Sequence, residues 1–191
     1  HGSQLIGRIK NVNLKKSGTK NSGASNATLM LGWRFGRLVA FIDVGKAILS
    51  LHVAGVILFK YHVDVNMWDF YLLMNGLFVI IGHNYPMTMR FKGGKGTASF
   101  LGLLLIFNWK LAIFSLFFAL LIAFIANYFV LGTFSGYLIF NLHLIFAYEK
   151  EIAMLGLFFT MLFVVTHMEN FRRILNKDEI KLRTLFRRQA S

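Results

Sequence analysis

The chain has 191 residues, of which 56% are hydrophobic and only 15% are charged. A soluble domain carries about 25% charged residues, so the composition excludes an ordinary soluble enzyme and a soluble nucleic-acid binder. The 21 Lys and Arg outnumber the 8 Asp and Glu, which gives a formal net charge of +13. Apolar content together with this charge is typical of a membrane protein with cationic ends in water. The absence of cysteine excludes disulfides, iron–sulfur clusters and a thiol nucleophile.

Six apolar segments follow one another along the chain, and each is a candidate membrane helix. They cover residues 38–59, 68–82, 97–107, 111–131, 132–148 and 152–166. Crossing about 30 Å of hydrocarbon takes about 20 helical residues, so the shorter segments indicate helix ends that line a cavity. Residues 2–9 match the end of an earlier helix, most of which we expect this chain to lack. A soluble helical bundle, the alternative, would need polar outer faces.

Positive charge is divided unevenly between the two sides that these segments define. Seventeen Lys and Arg fall on one side and three on the other, and Lys46 lies within a segment. Cytoplasmic loops carry the excess of positive charge. The rich side, which includes residues 1–37 and the C-terminal tail, is therefore predicted to face the cytoplasm.

The first polar cluster, residues 17–26, is rich in hydroxyl, amide and glycine residues. Such a loop can turn several backbone N–H groups into one concavity that holds an anion. It is not a P-loop, because that motif ends in Lys followed by Ser or Thr, and Ala24 stands before Ser25 in place of the Lys. A flexible loop without a ligand is the alternative.

Asp43 and Lys46 lie three residues apart inside the first complete apolar segment. Charged side chains within a membrane are costly and tend to be paired and functional. The spacing therefore predicts an ion pair, and a purely structural pair near a helix end is the alternative to a functional one.

The second cluster, residues 82–97, ends in Gly93-Gly94-Lys95-Gly96 directly before an apolar segment. A helix N-terminus has N–H groups without intrahelical partners and a partial positive charge, which favour phosphate. Glycines allow a close approach of the backbone, and Lys92 and Lys95 add charge. The alternative is a basic membrane anchor with a glycine turn.

The third cluster follows the last apolar segment. His167, Asn170 and Arg173 share one face of a helix because they are spaced by three residues. A basic collar at the membrane surface is the alternative. Residues 171–191 repeat apolar side chains at helical spacing among basic ones, which predicts an amphipathic cytoplasmic tail on anionic lipid.

In this order, the clusters resemble the motifs of the bacterial acyl-phosphate:glycerol-3-phosphate acyltransferases, the PlsY family, along essentially the whole chain. The matching segments are Gly18-Thr19-Lys20-Asn21-Ser22-Gly23-Ala24-Ser25-Asn26, then Gly82-His83 with Phe91-Lys92-Gly93-Gly94-Lys95-Gly96, then His167, Asn170 and Arg173 with Glu179-Ile180-Lys181-Leu182. Asp43 and Lys46 match a further Asp-x-x-Lys pattern of the family.

The resemblance implies an all-α integral membrane protein. The expected fold is a seven-helix transmembrane bundle, its first helix only partly present here, with short helices around a cytoplasmic-facing active site. Residues 1–191 would form one domain in a bacterial cell membrane. Membrane lipids are expected partners and nucleic acid is not, and the oligomeric state stays open, a monomer included.

The implied reaction transfers a fatty acyl group from acyl phosphate to the 1-position of glycerol 3-phosphate. It gives lysophosphatidic acid and phosphate, the first step of phospholipid synthesis, and it implies no cofactor and no metal. The enzyme would orient the substrates and stabilise developing oxyanions. By resemblance, the catalytic residues are His83, Lys95, His167 and Asn170. The substrate phosphate-binding residues are Thr19, Asn21, Gly23, Ser25, Asn26, Lys92, Gly93, Gly94, Gly96, Thr133 and Arg173. Either histidine, or a substrate phosphate, can serve as general base.

Several positions depart from the family pattern, and at two of them an expected basic residue is missing. Leu29 replaces an Arg expected to bind glycerol 3-phosphate, and Asn127 replaces a basic residue. One alternative is therefore a divergent, weakly active or inactive relative that binds acyl phosphate or anionic lipid. A small transporter is another, but it would need polar residues through the bilayer centre, whereas here they cluster on one side.

Overall fold

The structure is a computed structural model that describes residues 1–19 and 21–187, with side chains described as far as Thr184. These residues form nine α-helices and no β-strand, which confirms the predicted all-helical class. The helices are α1 (Gly2–Ile9), α2 (Ala24–Leu31), α3 (Trp33–Lys60), α4 (Trp68–Asn84), α5 (Thr97–Phe107), α6 (Trp109–Ala126), α7 (Phe129–Ala147), α8 (Lys150–Leu175) and α9 (Leu182–Arg187). Short 3₁₀ turns at Val65–Met67 and Met87–Met89 flank α4.

Five of the described helices are long and apolar enough to cross a membrane: α3, α4 with its flanking turns, α6, α7 and α8. The apolar helix α5 is shorter. In the apolar windows of the five long helices, only 17% to 44% of the residues are buried inside the protein. A helix that is apolar all round and still faces outward needs lipid as its surroundings, so the pattern fits an integral membrane protein.

The described helices form two compact units, His1–Phe107 and Asn108–Ser191. In the first unit, α3 packs against α1, α2, α4 and α5. Gly102 of α5 lies directly on the backbone of α3, where a Cβ would overlap Val44 and Ala47. In the second unit, α7 packs between α6 and α8, and Gly132 lies against Ala119 and Ala123. Small residues at such contacts let membrane helices approach closely. That all 191 residues act as one domain stays a prediction.

The boundary between α6 and α7 corrects the predicted segments 111–131 and 132–148. The break falls at Asn127, four residues earlier than its sequence-based position. Asn127 has φ 62°, a left-handed conformation that ends a helix, and the extended Tyr128 begins the next one. The apolar residues on both sides of the break give no pattern that would locate it.

The last membrane helix is longer than the predicted segment 152–166, and the tail is not one continuous helix. α8 extends to Leu175, so His167, Asn170 and Arg173 lie within it. The chain then turns at Lys177 with φ 62°, where the Asp178 and Glu179 N–H groups donate to the Arg173 carbonyl. The short helix α9 follows, and residues 188–191 of the predicted tail lie outside the described residues.

Candidate active site

The first cluster is organised around the buried side chain of Asn26. Its Nδ2 lies 2.7 Å from the Leu14 carbonyl, 2.8 Å from the Asn21 carbonyl and 3.0 Å from the Ser17 carbonyl. Its Oδ1 accepts a hydrogen bond from the Thr19 N–H at 2.9 Å. The amide therefore uses its donors and an acceptor inside the loop, and it determines the loop's shape.

The same cluster ends in a helix, which corrects the predicted loop over residues 17–26. α2 begins at Ala24 with Gly23 as its N-cap, and Ser25 is exposed in the first turn. Thr19 and Asn21 are half-buried in the preceding loop. Because first-turn N–H groups lack partners within their own helix, Gly23 and Ser25 lie where a helix start can attract an anion.

The glycine-rich loop of the second cluster is attached to the end of α4. The Gly93 N–H donates to the Asn84 carbonyl at 2.9 Å, and the Gly94 N–H donates to the His83 carbonyl at 3.1 Å. A side chain at Gly94 would overlap the imidazole of His83, and one at Gly93 would overlap the His83 carbonyl. The two glycines are therefore needed for a close approach between loop and helix.

The next residues start α5. Gly96 has φ 79°, which favours glycine, and its carbonyl accepts the Phe100 N–H at 2.8 Å, closing the first helical turn. Lys95 is half-buried beside this helix start, while Lys92 is exposed. The eleven-residue helix α5 thus begins next to Lys95, and the glycine-rich loop fixes the surroundings of this lysine.

Asp43, Lys46 and His83 form a buried polar cluster between α3 and α4. The Lys46 ammonium donates to Asp43 Oδ1 at 2.9 Å, as the spacing predicts, and it also contacts Nδ1 of His83. Asp43 Oδ1 lies 3.6 Å from the same imidazole nitrogen. An ammonium group has only donors, so Nδ1 of His83 accepts, and the neutral ring carries its proton on Nε2. The contact between Lys46 and His83 joins residues 37 positions apart, and sequence spacing gives no sign of it.

One group of side chains in this cluster has metal-ligand atoms in reach of one another. His1, Asp43 and His83 offer ligand atoms that all lie within 4.8 Å. Asp43 is already paired with Lys46, however, and the Lys46 ammonium also occupies Nδ1 of His83. A metal ion would therefore be placed beside a fixed positive charge, so the donor set does not fit a cation.

The structure brings the first and second clusters together. Lys15, which precedes the first cluster, donates from Nζ to the Met89 carbonyl in the second at 2.8 Å. Ser22 lines the same cavity as Thr88, Met89 and Arg90. Two sequence segments about 70 positions apart thus form one polar surface within the first unit.

The third cluster lies in the second unit, on α8. His167 is 5% exposed, and its ring stacks on Phe163 with centroids 4.0 Å apart. Nδ1 of His167 donates to the Phe163 carbonyl at 2.9 Å. The neutral ring therefore carries its proton on Nδ1, and Nε2 is the basic nitrogen.

Glu179 connects the other two residues of this cluster. Its Oε1 accepts from Asn170 Nδ2 at 2.6 Å, and its Oε2 accepts from Arg173 Nε at 2.6 Å. Arg173 also pairs with Glu169 at 2.9 Å, so two carboxylates already engage its guanidinium. The role of Glu179 is not predicted from the sequence, although Glu-x-Lys-Leu is part of the family pattern. The residue follows the turn after α8, so helical spacing does not place it on this face.

Two further predicted positions lie at the start of α7. The Thr133 hydroxyl is buried and donates to the Val130 carbonyl of its own helix at 2.9 Å. Asn127 accepts from the Leu182 N–H at its carbonyl, 2.8 Å away. Its side-chain Oδ1 accepts from the Arg183 N–H at 2.9 Å. Asn127 thus holds the start of α9 against the α6–α7 break.

Comparison with known proteins agrees with this architecture. A family model described as glycerol-3-phosphate acyltransferase matches residues 2–177. Glycerol-3-phosphate acyltransferase 1 of Oceanobacillus iheyensis is 39% identical to the whole of this chain, which covers 92% of that relative. Glycerol-3-phosphate acyltransferase of Aquifex aeolicus is 30% identical over 92% of this chain and 88% of its own length.

A crystal structure of PlsY, an integral membrane glycerol 3-phosphate acyltransferase in its glycerol 3-phosphate form, is also similar. Its TM-score is 0.80 at 29% identity, covering 94% of this chain and 86% of that one. The lysophosphatidic acid form of the protein gives a TM-score of 0.77 at 28% identity, with the same coverage. Helices and relatives together define an integral membrane acyltransferase of bacterial type. The chain belongs to the glycerol-3-phosphate acyltransferase family.

Proposed function

We propose that this protein transfers a fatty acyl group from acyl phosphate to the 1-hydroxyl of glycerol 3-phosphate. The hydroxyl oxygen attacks the acyl carbonyl carbon, the bond from that carbon to the phosphate oxygen breaks, and the phosphate leaves with the electron pair. Lysophosphatidic acid and phosphate are the products. Family membership supports the acceptor, since a relative was solved in a glycerol 3-phosphate form.

The observation that carries this proposal is the attachment of the glycine-rich loop to α4. The N–H groups of Gly93 and Gly94 bond to the Asn84 and His83 carbonyls, so their role is to fix the loop. Phosphate binding is then assigned to Lys95, Gly96 and the first-turn N–H groups of α5, where charge and helix dipole act together. Lys92, which is exposed, adds positive potential beside them.

The first cluster contributes a second helix start. Thr19, Asn21, Gly23 and Ser25 are the proposed phosphate ligands, because they lie in the loop and first turn that lead into α2. Asn26 is a positioning residue, since its amide holds the loop from inside. These hydrogen bonds engage the Asn26 amide inside the loop, so it does not contact a ligand itself. They also hold the loop rigidly enough for its other residues to bind one.

The two histidines have different proposed roles. His167 is basic at Nε2 because Nδ1 donates to Phe163, and this nitrogen is proposed to accept the proton of the attacking hydroxyl. His83 carries its proton on Nε2, which lies against Gly94 of the glycine-rich loop, because Nδ1 accepts from Lys46. This N–H is proposed to donate a hydrogen bond to a developing negative charge beside the loop. Asn170 is held by Glu179 and orients substrate, while Arg173 holds Glu179 in place. Thr133 stabilises the start of α7 through its own helix.

The reaction is proposed to take place on the cytoplasmic side of a bacterial cell membrane. The support is the excess of Lys and Arg on the side of the chain that carries all three clusters. Acyl phosphate and membrane lipids are the proposed partners besides glycerol 3-phosphate, since an acyl chain needs apolar surroundings.

The test is an assay of the purified chain in detergent with acyl phosphate and radiolabelled glycerol 3-phosphate. Lysophosphatidic acid is the expected product, and Lys95→Ala abolishes its formation. Lys60→Ala, which removes an exposed positive charge at the end of α3, is the matched control and keeps full activity. No product from the unchanged protein at saturating substrates would overturn the proposal.

A second candidate is a relative that binds acyl phosphate or anionic lipid without turnover. Asn127 is the observation that favours it. The family has a basic residue at this position, whereas the side chain of Asn127 accepts a hydrogen bond from the start of α9. Leu29 on α2 also lacks the expected charge. Binding of acyl phosphate with no product, unchanged by Leu29→Arg, would favour this candidate over the acyltransferase.

A further inference from the structure

The first unit contains a cavity of about 480 Å³ that is lined by residues of the first two clusters but by none of the predicted site residues. The wall formed by α1 and the turn after it contributes Ser3, Arg8 and Lys15. Ser22 and the segment around Arg90 complete the lining. None of the residues to which catalysis or phosphate binding was assigned above lines this cavity, so it is a feature that the proposed reaction does not explain.

The cavity is positively charged. Arg8, Lys15 and Arg90 line it, and no Asp or Glu does. Within the described part of the chain, none of these three cations takes part in an ion pair. Lys15 uses one N–H on the Met89 carbonyl, which leaves two of its three donors for another acceptor. Arg8 and Arg90 are exposed, so the cavity opens to water, and its positive potential attracts anions.

Two buried hydroxyl groups are an independent sign of a ligand. Ser3 is 3% exposed and Ser22 is 1% exposed, and both line the cavity. Neither hydroxyl has a hydrogen-bond partner among the described residues. A buried polar group without a partner costs about 1–3 kcal/mol, so a hydrogen-bonding occupant of the cavity would remove this cost.

We propose that this cavity binds a phosphate group at a site distinct from the glycine-rich loop. Two guanidinium groups, an ammonium and two hydroxyls together supply more donors than one carboxylate can accept, whereas a phosphate oxyanion has acceptors in several directions. The phosphate belongs either to a small soluble compound or to the head group of an anionic lipid. Both sources share the chemistry that the cavity recognises.

The test measures binding rather than turnover, so its result is independent of the proposed reaction. Thermal unfolding of the purified chain in uncharged detergent is followed at constant ionic strength against inorganic phosphate. A second titration uses a short-chain phosphatidylglycerol. Both are done in the Lys95→Ala background, which weakens the proposed glycine-loop site and leaves the cavity intact.

Arg8→Gln with Arg90→Gln should raise the apparent Kd about tenfold or more, because charge-assisted hydrogen bonds are lost. Lys10→Gln with Lys16→Gln is the matched control, since it removes two exposed charges of the same segment that do not line the cavity. The control should keep the apparent Kd within about twofold, because neither lysine lines the cavity.

Ser3→Ala with Ser22→Ala is a second test that keeps the charges and removes the buried hydroxyls. It should weaken binding several-fold. Stabilisation by inorganic phosphate identifies a soluble ligand, and stabilisation only by phosphatidylglycerol identifies a lipid head group. Either supports the proposal when Arg8→Gln with Arg90→Gln weakens it, since the first cluster also remains able to bind phosphate in this background. Stabilisation by neither compound, or an equal response of the arginine variants and the lysine control, would overturn it.

Discussion

The two candidate catalytic histidines, one in each unit, are equally buried but are held in opposite ways. His83 and His167 are each 5% exposed. In the first unit, Nδ1 of His83 accepts from the Lys46 ammonium, while in the second unit Nδ1 of His167 donates to a backbone carbonyl. The nitrogen that remains, Nε2, is thus a donor in His83 and an acceptor in His167.

Burial and residue type therefore do not decide which nitrogen of a histidine carries the proton. The partner of one ring nitrogen fixes the tautomer and with it the chemistry of the other. The partner also differs in kind: a charged side chain 37 residues away holds His83, and the carbonyl one helical turn back holds His167. A charged partner can be removed by substitution, whereas a backbone carbonyl cannot.

The largest change in kcat is expected from replacing each histidine by Gln, whose side-chain amide lies about where Nε2 of the imidazole lies. His167→Gln should lower kcat by about 10²–10⁴, because an amide cannot accept a proton as a general base does. His83→Gln should lower kcat by only about tenfold, because Gln keeps an N–H donor for the developing charge. Steady-state kinetics of lysophosphatidic acid formation separates the two.

His52→Gln is the matched control, because His52 is exposed on α3 and should leave kcat unchanged. Equal losses for the two buried histidines, or a larger loss for His83→Gln, would remove the proposed division of roles.

An intermediate loss of kcat is expected from Lys46→Met, which removes the ammonium group that sets the tautomer of His83. It leaves the Asp43 carboxylate, 2% exposed, without its cation, and breaking such a pair costs about 3 kcal/mol. Stability in detergent and kcat should both fall. Denaturant unfolding and kinetics measure the two effects.

Asp43→Asn combined with Lys46→Met distinguishes the two effects, because it removes the unpaired charge together with the cation. Stability should recover in the double variant, while kcat stays low because the tautomer of His83 is no longer fixed. Recovery of both quantities would mean that the pair is only structural.

The smallest expected effect distinguishes the two carboxylates that hold Arg173. Glu179→Ala should lower kcat/KM about tenfold, because hydrogen bonds to Asn170 and Arg173 are lost from a side chain that is 14% exposed. Glu169→Ala removes a pair whose carboxylate is 77% exposed and should change kcat/KM less than about twofold. If both variants behave alike, Glu179 does not position the third cluster.

Local features of this molecule are predictable from sequence because a helix fixes its own spacing. The pair of Asp43 and Lys46 and the shared face of His167, Asn170 and Arg173 both follow from residues three apart. The six apolar segments likewise give the helical class and correspond in order to α3 to α8. The same reasoning predicts a glycine-rich loop at a helix start, and the structure has it at Gly96.

Features that depend on distant partners are not predictable in this way. The α6–α7 break at Asn127 is accompanied by bonds from Leu182 and Arg183, more than 50 residues later. Lys46 meets His83 only because α3 packs against α4. Glu179 reaches α8 only after the chain has turned at Lys177. In each case tertiary contacts, and not the local pattern, select the conformation.

The two tautomers can be measured directly by ¹⁵N NMR of the purified protein labelled at its histidine side chains, at a pH where the rings are neutral. The chain has six histidines, and spectra of His83→Gln and His167→Gln assign the two that matter. We expect a proton on Nε2 in His83 and on Nδ1 in His167. The same tautomer at both positions would contradict this expectation.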